Sequence, residues 1–168
     1  MEYPCYGAYQ RNFGAKISDD IKINAGEFYE YLSKINGLTP ENTVVIGRSI
    51  GSGGATYLAK RKKINHLVLV SPFSTIPSVA KDFVGCLGCL VKMHFNNEEE
   101  IRNYGGNLLV IHGKIDEVIA YKHGERIVEV YEESGKKCGF ISPPDMSHNY
   151  FSMSEDIVRP IKLFTKEL

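Results

Sequence analysis

The chain has no excess of either charge: its 168 residues carry 20 Lys+Arg against 20 Asp+Glu, a formal net charge of zero. A nucleic-acid binder displaces counterions with a basic surface, so that class is excluded. No apolar run approaches the roughly 20 residues that cross a bilayer. The longest candidate, Phe83 to Phe95, is short and interrupted by Lys92 and His94. The opening residues, Met1 to Tyr6, form neither a basic leader nor a long apolar stretch, so no secretory signal is expected there. The four cysteines (Cys5, Cys86, Cys89 and Cys138) are too few and too scattered for a disulfide scaffold. The expectation is a reduced, cytoplasmic protein without a transmembrane segment, whose contact with membranes, where it occurs, is peripheral.

What is present is ordinary globular composition, 43% hydrophobic and 24% charged, in a length that suits one domain, residues 1–168. Short β-branched runs alternate with helix-period stretches, the pattern of parallel strands joined by helices. Thr43–Gly47, His66–Ser71, Leu108–His112 and Cys138–Ser142 read as strands. Their uninterrupted apolar character places them in a sheet covered on both faces. Ser18 reads as an N-cap, followed by a helix whose apolar face is Ile21, Ala25, Phe28, Leu32 and Ile35, ended by Gly37 and Pro40. Further helices are expected from Ile50 to about Arg61, from Tyr121 to Glu133, and at the end, where Ile157, Ile161, Phe164 and Leu168 share a face. About 73–104 the rhythm breaks, and a lid-like insertion is expected.

Gly47-Arg48-Ser49-Ile50-Gly51 fits G-x-S-x-G and lies between a predicted strand and helix. In that context the chain turns sharply, small neighbours are needed, and the serine hydroxyl projects above the sheet. Gly53, Gly54 and Ala55 extend the small-residue run, which suits close packing of the helix on the strand. Thr56 occupies the third glycine position of a dinucleotide fingerprint, and no Gly-Lys-Ser/Thr follows, so both phosphate-binding readings fail. A serine needs a base, and the base needs a carboxylate to orient it. Asp116 follows the third strand and His148 the fourth, giving the chain order Ser, Asp, His. Alone, Asp116 reads as a helix cap and His148 as a loop histidine; together, at successive strand ends, they form a catalytic candidate. Glu117 is a weaker competitor for the acid. His112 reads as a brace for the Asp116 loop, while His66, His94 and His123 carry no catalytic signal. Cys86-Leu-Gly-Cys89 has no second pair for zinc, and neither metal nor organic cofactor is expected.

Gly-Arg-Ser-Ile-Gly (47–51), His-Gly-Lys-Ile-Asp-Glu-Val-Ile (112–119) and Ser-His-Asn (147–149) resemble the serine α/β-hydrolase superfamily. Tyr3-Pro4-Cys5-Tyr6-Gly7 is similar to a Tyr-Pro-Gly-Tyr-Gly turn of that fold. Leu38–Asn42, Ser71-Pro72-Phe73 and Glu117-Val118-Ile119 resemble its α/β-hydrolase domain-containing protein 17 branch, which includes protein depalmitoylases. The resemblance implies a three-layer α/β-hydrolase sandwich with a mostly parallel sheet. It also implies serine-dependent hydrolysis of a fatty-acyl thioester or ester, on an acylated protein or a lipid-like ester. Ser49 would be the nucleophile, His148 the base, Asp116 its orienting acid, and the Ile50 backbone N–H an oxyanion donor. Leu87 and Leu90, in the apolar stretch Phe83–Val91, are candidates for an acyl-chain wall; plain lid core is the other reading.

Members of that family carry several strands and an oxyanion loop before the Tyr-Pro turn, and here Met1 falls almost at it. The fold is therefore expected to be N-terminally truncated, with an exposed sheet edge. A short paralogue with impaired catalysis is the competing explanation. Two other functions stay open, a non-catalytic binding module and a serine peptidase of the same fold.

Overall fold

The computed structural model describes residues 17–85 and 95–166. Four parallel strands lie in the order β1 (Val44–Arg48), β2 (His66–Val70), β3 (Asn107–Ile111) and β4 (Gly139–Ile141). Around them pack α1 (Ile17–Asn36), α2 (Gly51–Arg61), α3 (Ile76–Val84), α4 (Asn97–Arg102), α5 (Lys122–Glu132) and α6 (Arg159–Lys166).

Strand alternation sorts the core into two layers. Leu67, Leu69, Leu108 and Val110 face Ala55 and Ala59 of α2 and Ile127 and Val130 of α5. Val68, Val70, Leu109 and Ile111 face Met146, Ile157, Ile161 and Phe164 on the other side. Both faces of β2 and β3 are therefore dry, which is why these strands read as continuous apolar runs. β1 differs: among the described residues it pairs only with β2, and Ile46 is exposed. As an edge strand it is only partly covered, and Phe28, Leu32 and Val45 line an apolar groove beside it.

Three sequence expectations are corrected in detail. Helix α1 begins at Ile17, so Ser18 lies inside its first turn, buried, and is not the residue before it. The buried face of α1 is Ile21, Ala25 and Tyr29, spaced four apart, whereas Phe28 and Ile35 are exposed. The closing helix is not uniform: a π-helical turn (Met153–Val158) runs into α6. Pro160, which has no N–H for the i−4 carbonyl, sits just past that wider turn.

The segment between β2 and β3 holds α3 and α4, joined by an antiparallel bridge between Thr75 and Asn96. The Thr75 hydroxyl accepts the Ser78 N–H and the Asn96 side-chain Oδ1 accepts the Glu99 N–H, so each helix has a side-chain cap. Tyr3–Gly7, Cys86, Cys89, His94 and Leu168 lie outside the described residues.

Candidate active site

The turn after β1 is built by steric demand. A β-carbon on Gly47 would fall 2.5 Å from the Ala55 β-carbon and 2.8 Å from Gly51 O and Ser52 Cα. Any larger residue would push α2 off the strand. Gly51 is under no such constraint, since nothing lies within 4 Å of an added β-carbon there. Gly53 meets the Phe95 ring from the segment before α4, not the strand. Ser49 itself has φ 52°, a left-handed conformation that an L-residue adopts at some strain. Its N–H is tied to the Val70 carbonyl at 3.0 Å, and its side chain is half-buried at the end of the sheet.

Asp116 and His148 reach the same place from the ends of β3 and β4. The ladder continues past both strands: His112 N–H donates to Ile141 O at 3.0 Å and Lys114 N–H to Pro143 O at 3.2 Å. The Asp116 Oδ1 accepts the backbone N–H groups of Val118 (3.0 Å) and Ile119 (2.8 Å), closing its loop. Its Oδ2 lies 2.9 Å from His148 Nδ1. Burial alone would push the Asp116 carboxyl up, but the Ile119 N–H and the His148 imidazole hold it below the usual carboxylate range. A carboxylate only accepts, so Nδ1 carries the ring proton and Nε2 is left as an acceptor. Ser49 Oγ sits 3.0 Å from that Nε2. Asp116 and His148 are buried, so the pair is shielded from water.

Glu117 does something else. Its Oε2 accepts the backbone N–H of His148 at 3.2 Å. His112 is fully buried, and its Nε2 donates to Ile119 O at 2.8 Å, bracing the Asp116 loop from inside. Its Nδ1 has no partner among the described residues, and burial holds the ring neutral by lowering its pKa. Cys138 is no competing nucleophile: burial pushes its thiol up to about 12.

Sequence reading passed over three groups that the tertiary structure engages. Arg48, the variable residue before Ser49, donates to the His148 carbonyl and to Asn149 Oδ1 (3.3 Å). His123 is buried, with Nδ1 2.9 Å from Ser74 Oγ and Nε2 2.9 Å from Asp82 Oδ2, so it pins α3 to α5. Asn97 is buried and donates to Ser52 Oγ (3.0 Å) and Phe73 O (2.9 Å), fastening α4 to α2. None of the three had a local signature; each contact joins residues far apart in the chain. Leu87 and Leu90 lie outside the described residues. Among the described residues no group of three or more His, Cys, Asp or Glu could hold a metal, and no helix is long and apolar enough to cross a membrane.

No family model matches the chain. Individual proteins do. Human Protein ABHD12B is 23% identical over 95% of this chain and 50% of its own length. The Caenorhabditis elegans alpha/beta hydrolase domain-containing protein aho-3 is 29% identical over 86% of this chain and 42% of its own. Human alpha/beta hydrolase domain-containing protein 17B is 28% identical over 74% and 42%. The chain thus spans about half the length of the curated relatives it matches. Among solved structures, Est1E from Butyrivibrio proteoclasticus superimposes with a TM-score of 0.70 at 18% identity, covering 89% of this chain and 70% of that one. The acylaminoacyl peptidase of Pyrococcus horikoshii does so with a TM-score of 0.68 at 14%, covering 88% and 27%. Relatives that carry the name and solved structures that share the architecture lead to one conclusion: this chain has the α/β-hydrolase fold and is similar in sequence to α/β-hydrolase domain-containing proteins.

Proposed function

We propose that this chain carries the catalytic centre of a serine hydrolase that cleaves fatty-acyl thioesters or esters, with Ser49 as nucleophile, His148 as general base and Asp116 as its orienting acid. One observation carries the reading: the hydrogen-bonded line from Ser49 Oγ through both ring nitrogens of His148 to the Asp116 carboxylate. His148 Nε2 takes the Ser49 hydroxyl proton as Oγ attacks the acyl carbonyl. The Asp116 carboxylate stabilises the imidazolium that results. Among the described residues no backbone carbonyl accepts the Ile50 N–H, which leaves it free to donate to the oxyanion. The tetrahedral intermediate collapses, the C–S or C–O bond breaks, and the imidazolium returns its proton to the leaving thiolate or alkoxide. Water, deprotonated by His148, then attacks the Ser49 ester, and the acid product leaves as His148 hands the proton back to Oγ.

A thioester on a palmitoylated protein is the favoured substrate within this class, supported by the motif resemblance to the protein 17 branch and by human protein 17B among the relatives. The test is labelling of the 168-residue chain with a fluorophosphonate beside Ser49→Ala and His148→Ala. Labelling lost in both variants supports the proposal. Labelling that survives Ser49→Ala, or a folded wild-type chain that takes no label, overturns it. Hydrolysis of palmitoyl over acetyl thioesters then supports the substrate class, and the reverse preference removes it.

A further inference from the structure

His148 sits in a stretch with no regular secondary structure, between the end of β4 and the π-helical turn. Its neighbours are held by a local turn, with Ser147 N–H donating to Tyr150 O at 3.0 Å and Tyr150 N–H to Ser147 Oγ at 3.2 Å. That turn does not engage the N–H or C=O of His148 itself. Both of those groups are taken by side chains from elsewhere. The N–H donates to Glu117 Oε2, and the carbonyl accepts from Arg48 Nη2. The origins of the two side chains are telling: Arg48 immediately precedes Ser49, and Glu117 immediately follows Asp116.

We infer that Arg48 and Glu117 are positioning residues that hold His148 by opposite ends of its backbone, so that the segments bearing Ser49 and Asp116 each set the reach of the imidazole between them. Arg48 is fixed for the task by two more contacts on the same loop, Asn149 Oδ1 at 3.3 Å and the Phe151 ring, whose centroid lies 5.3 Å from the guanidinium carbon. Both side chains are exposed, so their charges are screened and an ion-pair contribution to stability is small. What they supply is direction. A backbone rotation at His148 would carry Nε2 away from Ser49, and displacement by about 1 Å at a reacting group can lower turnover by as much as 100-fold. Both hydrogen bonds leave the same guanidinium nitrogen, Nη2; methionine at position 48 has no donor, and lysine has a donor without the rigid planar group that aims it.

The kinetic side of this inference rests on the proposed serine chemistry; the geometric side does not, and the experiment reads both. In the 168-residue chain, the imidazole Nδ1–H proton of His148 is followed by NMR, assigned by its loss in His148→Gln. In parallel, kcat and KM are measured on a short-chain p-nitrophenyl ester. In Arg48→Met and Glu117→Ala the resonance is expected to broaden or vanish, with kcat falling about 10-fold and KM unchanged. Glu117→Gln keeps an oxygen acceptor and should restore most of both signals, and Arg48→Lys part of them. Circular dichroism of the conservative variants guards against a folding artefact. A resonance that stays sharp in both Arg48→Met and Glu117→Ala overturns the inference. So does a wild-type chain without the resonance, or a Glu117→Gln variant as impaired as Glu117→Ala. A wild-type chain that hydrolyses nothing, yet whose resonance responds to both substitutions as described, removes the proposed function and leaves the positioning role standing.

Discussion

Gly113 and Met146 touch through their backbones: a β-carbon on Gly113 would fall 1.9 Å from the Met146 carbonyl oxygen. One residue lies three positions before Asp116 and the other two positions before His148. The absence of a side chain at 113 is therefore what lets the loops after β3 and β4 close on one another.

Gly113→Ala should separate those loops. The colliding atom belongs to the backbone and has no rotamer to yield, so the strain is expected to lower stability by about 1–3 kcal/mol. Urea unfolding measures that loss, and fluorophosphonate labelling should slow in the same variant while it is still folded. Unchanged stability and labelling would show that the loops adjust freely.

Asp116→Asn tests the acid without dismantling its loop. The amide oxygen can still accept the Val118 and Ile119 N–H groups, so the fold should persist. The amide nitrogen facing His148 Nδ1 would favour the wrong tautomer, and kcat is expected to fall about 10⁴-fold on the proposed chemistry. A kcat within tenfold of wild type would assign the acid role elsewhere.

Asn97→Ala removes the buried hydrogen bond between α4 and α2, leaving the Lys60–Glu100 ion pair (2.8 Å) in place, and leaves the Phe73 carbonyl and Ser52 hydroxyl short of a donor. Unsatisfied buried groups of this kind lower stability by about 1–3 kcal/mol. Hydrogen exchange should show α4 opening before β2 and β3. Uniform exchange would mean that apolar packing of Phe73, Phe95 and Ile101, with the Lys60–Glu100 ion pair, holds the segment without Asn97.

Stability should fall as the medium is acidified through the histidine range. Burial lowers the folded-state pKa of His112, and of His123 despite the facing Asp82 carboxylate, below the ordinary 6.5. The unfolded chain therefore takes up protons that the folded chain refuses. Below about pH 6.5 each ring contributes a loss of up to about 1.4 kcal/mol per pH unit, until its folded-state pKa is reached. Urea unfolding between about pH 7.5 and 5.5 measures the slope, and His112→Gln should flatten it. The Asp116 carboxyl, lowered in the fold, contributes stability above the ordinary 3.8 that is lost only at still lower pH. A flat profile through the histidine range would contradict the buried neutral rings.

Much of the framework is legible in the chain alone because it depends on local pattern. The apolar runs at 67–70 and 108–111 have no polar residue to face water, so strands covered on both faces follow from them, whereas β1, an equally apolar run at 44–47, lies at the edge with Ile46 exposed. The order Ser49, Asp116, His148, each just past a strand, is likewise written in sequence, because a strand end is a local property. Distances are not. That Ser49 Oγ, His148 and Asp116 come within hydrogen-bond reach depends on strand register and on loops meeting at Gly113. The exposure of Phe28 and Ile35 depends on which side of α1 finds a partner, since helical periodicity marks an apolar face without saying how much of it is covered. Arg48, Asn97 and His123 acquire their roles only from partners 100, 45 and 49 residues distant. A side chain at the start of an interaction carries no mark of a partner that folding alone brings to it. Local pattern thus determined the elements and their order, and tertiary packing decided which side chains meet.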